Sequence, residues 1–164
     1  MFEQLPSDIS VRAETPDDAA FLERLFTSLH TGEMAALGIP PEMIAALARQ
    51  QYANHREQLR GQFPDADRWI IVQAGSDVGR VCVNRGADEH HLVEIVLVPE
   101  TRGRGIGGAM LRAIQDDARA ARRDLTLRVQ HGNPALQLYV RLGFVVEWDD
   151  GPSAFMRWSP DVGE

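Results

Sequence analysis

The run Val93 to Val98 is apolar apart from Glu94, and it leads through Pro99–Arg102 into a stretch with glycine at 103, 105, 107 and 108. A strand that ends in such a loop and opens into a helix constrains the fold more than any other part of the chain. The loop points several backbone N–H groups in one direction, at the positive end of a helix dipole. Residues without Cβ also let a phosphate come close to the main chain. A second cluster lies 25 residues further on, from Asn133-Pro134-Ala135 through Tyr139 to Gly143-Phe144.

The elements around this unit read as α with β. Ile9–Arg12 alternates and predicts a first strand. Thr15, Pro16 and Asp17-Asp18 make a helix start, with a cap, a proline at the first helical position and acids in the first turn. Residues 30–40 are expected to be irregular. A helix over roughly 41–60 carries Ile44, Leu47, Gln51, His55 and Leu59 on one side. Trp69–Val72 and Val78–Asn84 read as strands around a turn at Gly75-Ser76-Asp77, followed by a strand over 91–98. Ile106, Met110, Leu111, Ile114, Ala118 and Ala121 recur at helical spacing. Leu125–Val129 is a further strand, 134–142 a short helix, and Phe144–Val146 and Ala154–Trp158 close the chain as strands. With 164 residues and 44% hydrophobic content, one domain over residues 1–164 is expected.

Composition removes several function classes. The net charge is −7, which argues against nucleic acid as the main partner. Residues 101–130 nonetheless carry seven arginines against three aspartates, a net of +4, so the rest of the chain holds −11. That basic segment is either a solvated helix face or an electropositive mouth for a polyanion. All 17 basic residues are arginine, so no lysine can serve in catalysis. The one cysteine, Cys82, fits a reducing compartment and reads as a buried structural thiol. No apolar h-region is seen near Met1 and no stretch approaches a membrane span, so a cytoplasmic location without membrane contact is expected. His90-His91 sits beside Asp88 and Glu89, but adjacent strand residues point to opposite faces and chelate poorly, so no metal is expected.

The glycines at 103, 105 and 108 also fit Gly-x-Gly-x-x-Gly, the dinucleotide fingerprint. That unit wants its first glycine at the strand end and an acid closing the next strand. Here Pro99–Arg102 intervene, and Asp124 starts a strand. No Gly-Lys-Ser/Thr follows, so the loop is not a P-loop.

Arg102-Gly103-Arg104-Gly105-Ile106-Gly107, after an apolar strand and Val98-Pro99, resembles the acetyl-CoA loop of the GNAT superfamily of N-acetyltransferases. Asn133-Pro134-Ala135-Leu136-x-Leu138-Tyr139-x-x-Leu142-Gly143-Phe144 is similar to that superfamily's second motif. The resemblance covers the order of elements along most of the chain and is most specific over 91–144. It implies a mixed, mostly antiparallel sheet of six to seven strands flanked by about four helices and splayed between strands four and five. It implies acetyl-CoA as co-substrate, held by the amides of Gly103, Arg104, Gly105, Ile106, Gly107 and Gly108. Arg102 and Arg104 would add charge at the rim. The pantetheine arm would bond the backbone of Val96 and Val98 and reach Asn133. Tyr139 would point at the thioester sulfur and protonate the thiolate, and a backbone N–H near Val98 would hold the oxyanion.

The implied reaction is direct transfer of an acetyl group to a primary amine on a small molecule or peptide. The amine must be neutral to attack, so a base is required. Glu94 is the first candidate, because it interrupts an apolar strand and shares a face with Val96 and Val98. Apolar surroundings predict a raised pKa there. Residues 27–66 are expected to line the acceptor site, with Gln51, Tyr52 and His55 as its candidates. The acids Glu33, Glu42, Glu57 and Asp65 suggest a cationic amine. Two other readings stay open at this point: a catalytically weak acyl-CoA-binding regulatory module, and an interaction scaffold. Homodimers are common in the superfamily, and Trp148, Phe155 and Trp158 make either an interface or core.

Overall fold

In the computed structural model, which describes residues 1–161 apart from the side chains of His30 and Glu33, seven strands form one sheet in the order β1-β2-β3-β4-β5-β7-β6. The strands are β1 (Ile9–Ala13), β2 (Asp67–Gln73), β3 (Ser76–Arg85), β4 (Glu89–Leu97), β5 (Asp124–Gln130), β6 (Val145–Asp149) and β7 (Ser153–Trp158). The helices are α1 (Ala19–Ala36), α2 (Pro41–Gln62), α3 (Ile106–Ala121) and α4 (Ala135–Arg141), with single 3₁₀ turns at Pro16–Asp18 and Pro99–Thr101. All pairings are antiparallel except β4 with β5.

The first hairpin turns at Ala74-Gly75, one residue earlier than the sequence suggests. Both residues have positive φ (48° and 83°), as a two-residue hairpin loop requires. The stretch expected to be irregular from residue 30 is helical as far as Ala36. Gly32 alone does not end α1; the chain turns instead at Gly38, with φ of 76°.

Two layers of helix cover the two sheet faces. Ile106, Met110, Leu111, Ile114 and Ala118 of α3 pack onto Val81, Val83, Leu92, Leu125, Leu127 and Met156, joined by Tyr139 and Phe144 near α4. At roughly 25 cal/mol per Å2 of apolar surface removed from water, this layer is the main driving force of the fold. On the other face Leu22 and Leu25 of α1 and Tyr52 of α2 meet Ile70, with Val72, Val96 and Val98 at the margin.

Two irregularities place the site. β4 and β5 pair only from Glu89 with Asp124 to Leu92 with Leu127, and then part. On its other side β4 carries a bulge: Cys82 pairs with Glu94 but Val83 pairs with Leu92, so Val93 is the extra residue. The bulge resets the alternation. Leu92, Ile95 and Leu97 all join the α3 layer, whereas Val96 turns toward α1 and α2, and Val98, at the strand end, touches both layers. Among the described residues no helix is long and apolar enough to cross a membrane.

Candidate active site

The four glycines of the loop divide into two kinds. Gly103 and Gly105 have φ of 76° and 82°, and Gly105 immediately precedes α3. A Cβ at either position would meet nothing within 4 Å, so the requirement is for a left-handed backbone rather than for space. Gly107 and Gly108 differ: a Cβ there would contact Leu138 of α4 at 3.7 and 3.8 Å, so these two let the helices approach. The first main-chain bond of α3 runs from the N–H of Ala109 to the carbonyl of Gly105 at 3.0 Å. Among the described residues none of the six amides from Gly103 to Gly108 donates to a protein acceptor. Six consecutive unsatisfied donors at a helix start form an anion cradle.

The arginines of the basic segment divide. Arg119 pairs with Asp116 and lies over Trp158, and Arg128 bonds Asp150 at 2.7 Å. Arg104 and Arg112 are exposed beside the loop and have no ion-pair partner among the described residues. Arg102 folds back instead, donating Nε and Nη2 to the carbonyl of Leu97 at 3.2 and 3.0 Å.

This arrangement corrects the backbone assignment on β4. The N–H of Val98 donates to Val78 at 2.8 Å, and its carbonyl accepts from the N–H and the hydroxyl of Thr101. Backbone direction alternates along a strand, so Val96 likewise faces β3. The groups turned toward the gap beside β5 are those of Ile95 and Leu97. Side-chain burial cannot reveal this, because it reports the faces of the sheet and not the direction of the ladder.

On the far side of the gap, the Oδ1 of Asn133 accepts from the N–H of Ala135 at 2.9 Å and so caps α4. Its side-chain N–H groups have no partner among the described residues. Gly143, at φ of 92°, ends the helix, and the N–H of Phe144 returns to the carbonyl of Tyr139 at 3.1 Å. Tyr139 is only 6% exposed, packs edge-on against Phe144, and has its phenol pushed up to about 12 by burial. Its hydroxyl has no hydrogen-bond partner among the described residues and is not one of their buried unpaired atoms, so the ring is buried while the oxygen reaches accessible space.

Glu94 sits in the second cleft, of about 270 Å3 including its mouth, lined by Leu22, Leu25, Phe26, Leu29, Tyr52, His55, Arg80 and Val96. Its surroundings are not apolar. Oε1 lies 3.0 Å from Nε2 of His55, and Oε2 accepts from Nη1 of Arg80 at 2.9 Å. The Nε of Arg80 donates in turn to Oε2 of Glu14 at 2.9 Å. Burial alone would raise the Glu94 carboxyl, but the hydrogen bond from His55 and the charge of Arg80 outweigh it and hold the group below the usual carboxylate range. The raised value expected from sequence is therefore overturned, and the cause is Arg80, a residue that sequence reading did not single out. An ionised carboxylate only accepts, so His55 donates through Nε2 and keeps Nδ1 as its acceptor.

The acceptor candidates separate. Tyr52 and His55 line the Glu94 cleft. Gln51 is exposed and does not line it. Glu42, Glu57 and Asp65 are also exposed and absent from the lining, and the side chain of Glu33 lies outside the described residues. Helix periodicity explains the two acids of α2: positions 42 and 57 fall on its outer side, away from the buried Ile44, Ala48 and Tyr52, whereas Gln51 lies at the edge of the inner face, one turn before His55, and is still exposed. Cys82 is buried opposite Glu94 and its thiol is pushed up to about 11 by burial, so it stays protonated. His90 turns to Asp117 under α3 and His91 to Thr126 on the opposite face. Of the three C-terminal aromatics, Trp158 is buried, whereas the partly exposed Trp148 stacks on Phe155 under Arg128.

The chain shares its fold with solved structures across nearly its whole length. PaiA N-acetyltransferase from Thermoplasma acidophilum, in complex with coenzyme A, superposes with a TM-score of 0.69 at 22% identity, over 92% of this chain and 98% of that one. A GNAT family acetyltransferase from Elizabethkingia anophelis with acetyl-CoA bound gives 0.61 at 13% identity, over 94% and 99%. A spermidine N-acetyltransferase SpeG chimera from Vibrio cholerae and hSSAT gives 0.64 at 20% identity, over 93% and 96%. No curated protein matches the sequence. The family model of the acetyltransferase (GNAT) domain matches residues 64–146, a span that takes in the splayed strands, the glycine loop and α4. With that match over half its length, the chain belongs to the GNAT acetyltransferase family.

Proposed function

We propose that this protein moves an acetyl group from acetyl-CoA to a primary amine by direct attack. The observation that carries the reading is the run of six unpaired amides from Gly103 to Gly108, following the strand that parts from β5 after Leu92. When bound, acetyl-CoA supplies an activated acyl group as a thioester. The chain supplies the rest. The loop amides hold the pyrophosphate, with Arg104 and Arg112 at its rim. The backbone of Ile95 and Leu97 and the Asn133 side chain align the pantetheine arm along β4. The N–H of Leu97 is placed to stabilise charge developing on the carbonyl oxygen.

The proton of the attacking amine goes to the Glu94–His55 pair. Arg80 keeps Glu94 anionic, Glu94 fixes the His55 tautomer, and Nδ1 of His55 takes the proton. Tyr139, protonated at working pH because burial raises its phenol, donates to the leaving sulfur. No enzyme-bound acyl group is required, and Cys82 is unsuited to form one.

Calorimetric titration with acetyl-CoA, beside a Gly105→Asp variant, tests the cofactor. Binding that is lost in the variant is expected, and no binding by the wild type would remove the reading. Turnover of a panel of primary amines at fixed acetyl-CoA then tests the transfer. Binding without turnover of any amine would leave the chain an acyl-CoA-binding module.

A further inference from the structure

A second cavity, of about 700 Å3 including its mouth, opens on the opposite side of Leu22 from the Glu94 cleft. It is walled by the β1–α1 connection (Glu14, Thr15, Pro16, Ala19), by the last turns of α2 (Arg56, Arg60) and by the start of β2 (Ala66, Asp67, Arg68). Three guanidinium groups converge there with two carboxylates, and both carboxylates are engaged elsewhere. Glu14 accepts from Arg80 at 2.9 Å and Asp67 from Arg85 at 2.8 Å. Arg68 is held in place by the carbonyls of Ala66 and Phe63, at 3.0 and 3.1 Å, so its charge is fixed at the wall without being neutralised. Arg56 is half-buried and Arg60 sits one helical turn further along. Neither has a hydrogen-bond or ion-pair partner among the described residues. A concave, polar site with positive charge in excess and its own acids already paired is built for a polyvalent oxyanion, and arginine's planar fork matches carboxylate and phosphate alike.

We propose that this cavity binds a small polyanion, a di- or tricarboxylate or a phosphate, through Arg56, Arg60 and Arg68. The proposal stands independently of the acyl-transfer reading. The site is distinct from the glycine loop, which lies at the other end of β4. It meets the Glu94 network at one residue, Glu14, whose carboxylate lines the cavity and holds Arg80.

Calorimetric titrations of the full chain with citrate, succinate and inorganic phosphate, at constant ionic strength set by sodium chloride, test it. The wild type is expected to bind at least one of the three saturably, with Kd below about 1 mM. Preference among the three distinguishes a carboxylate from a phosphate ligand. An Arg56→Gln/Arg60→Gln variant is expected to bind roughly tenfold more weakly or worse, as loss of charge-assisted bonds requires. Arg49→Gln, an exposed arginine of α2 outside the cavity, is expected to bind like the wild type. Coenzyme A binding, measured on the same samples, reports folding and keeps failure of this site separate from failure of the transferase reading. Absence of saturable binding by the wild type, or equal affinity in the double variant, would overturn the proposal.

Discussion

Replacing Arg80 by methionine is the most informative single perturbation of the Glu94 cleft. The Arg80 side chain is 9% exposed and lies between two carboxylates, Glu14 and Glu94, that are 10% and 16% exposed. Methionine fills much of the volume but leaves two buried acids converging with no cation between them. Removing one partner of a buried pair costs ~3–5 kcal/mol. In a chain of this size that lowers Tm by roughly 6–20 °C. The penalty has a defined pH dependence. In the wild type Glu94 titrates below its unfolded value of about 4.3, so its contribution is present above that pH and fades as pH falls through the folded value. In the variant two buried carboxylates converge with no cation between them, so protonation relieves the folded state and the penalty shrinks on acidification. Urea denaturation at about pH 7.5 and about pH 5 is expected to show a destabilisation that is markedly smaller at the lower pH. Adding Glu14→Gln is expected to recover part of it. An equal loss at both pH values, with no recovery from Glu14→Gln, would refute the electrostatic account and leave only lost packing.

Three further outcomes follow from the same geometry. Gly105→Ala forces a side chain into φ of 82°, at a cost of ~1–2 kcal/mol, and is expected to weaken coenzyme A binding with no new clash, as titration of both proteins checks. Tyr139→Phe removes a hydroxyl with no protein partner, so stability is expected to stay within ~0.5 kcal/mol in urea melts while kcat falls on the order of 100-fold. His55→Ala is expected to lower kcat/KM by about 100-fold or more with coenzyme A affinity unchanged; an unaltered kcat/KM would move the base elsewhere.

What could be read from sequence had local causes. The α3 stripe from Ile106 to Ala121 recurs every three or four residues, and all its members except the exposed Ala121 in the last turn are buried. The cap at Asn133, the stop at Gly143 and the left-handed glycines at 103 and 105 are each dictated within a few residues of the chain. The hairpin at Ala74-Gly75 was less legible because alanine at positive φ contradicts local preference; the flanking ladder imposes it. Helix α1 ran longer than expected because burial of Met34 holds its last turn, and one glycine does not outweigh that contact. The acids between residues 33 and 65 suggested an acceptor site by composition, which carries no information on which side of α2 each one sits.

The environment of Glu94 was hidden for a different reason. Strict alternation from Leu92 sends Glu94 into the α3 core, where a carboxylate is untenable. The extra residue Val93 turns it to the other face, and a bulge of this kind leaves no composition signature. Its partners then come from three separate elements: Arg80 by register across β3, His55 from α2, and Glu14, 66 residues before Arg80, from the end of β1. Each looks ordinary alone, as an arginine in a strand, a histidine on a helix and a glutamate before a turn. Their sum is a buried chain of alternating charge in which one guanidinium holds two carboxylates and one carboxylate orients an imidazole. The bulge therefore decides the chemistry of the cleft. It exchanges a desolvated, raised carboxyl for an anionic one, and in the mechanism we propose this moves the proton-accepting role from the oxygen of Glu94 to the free nitrogen of His55.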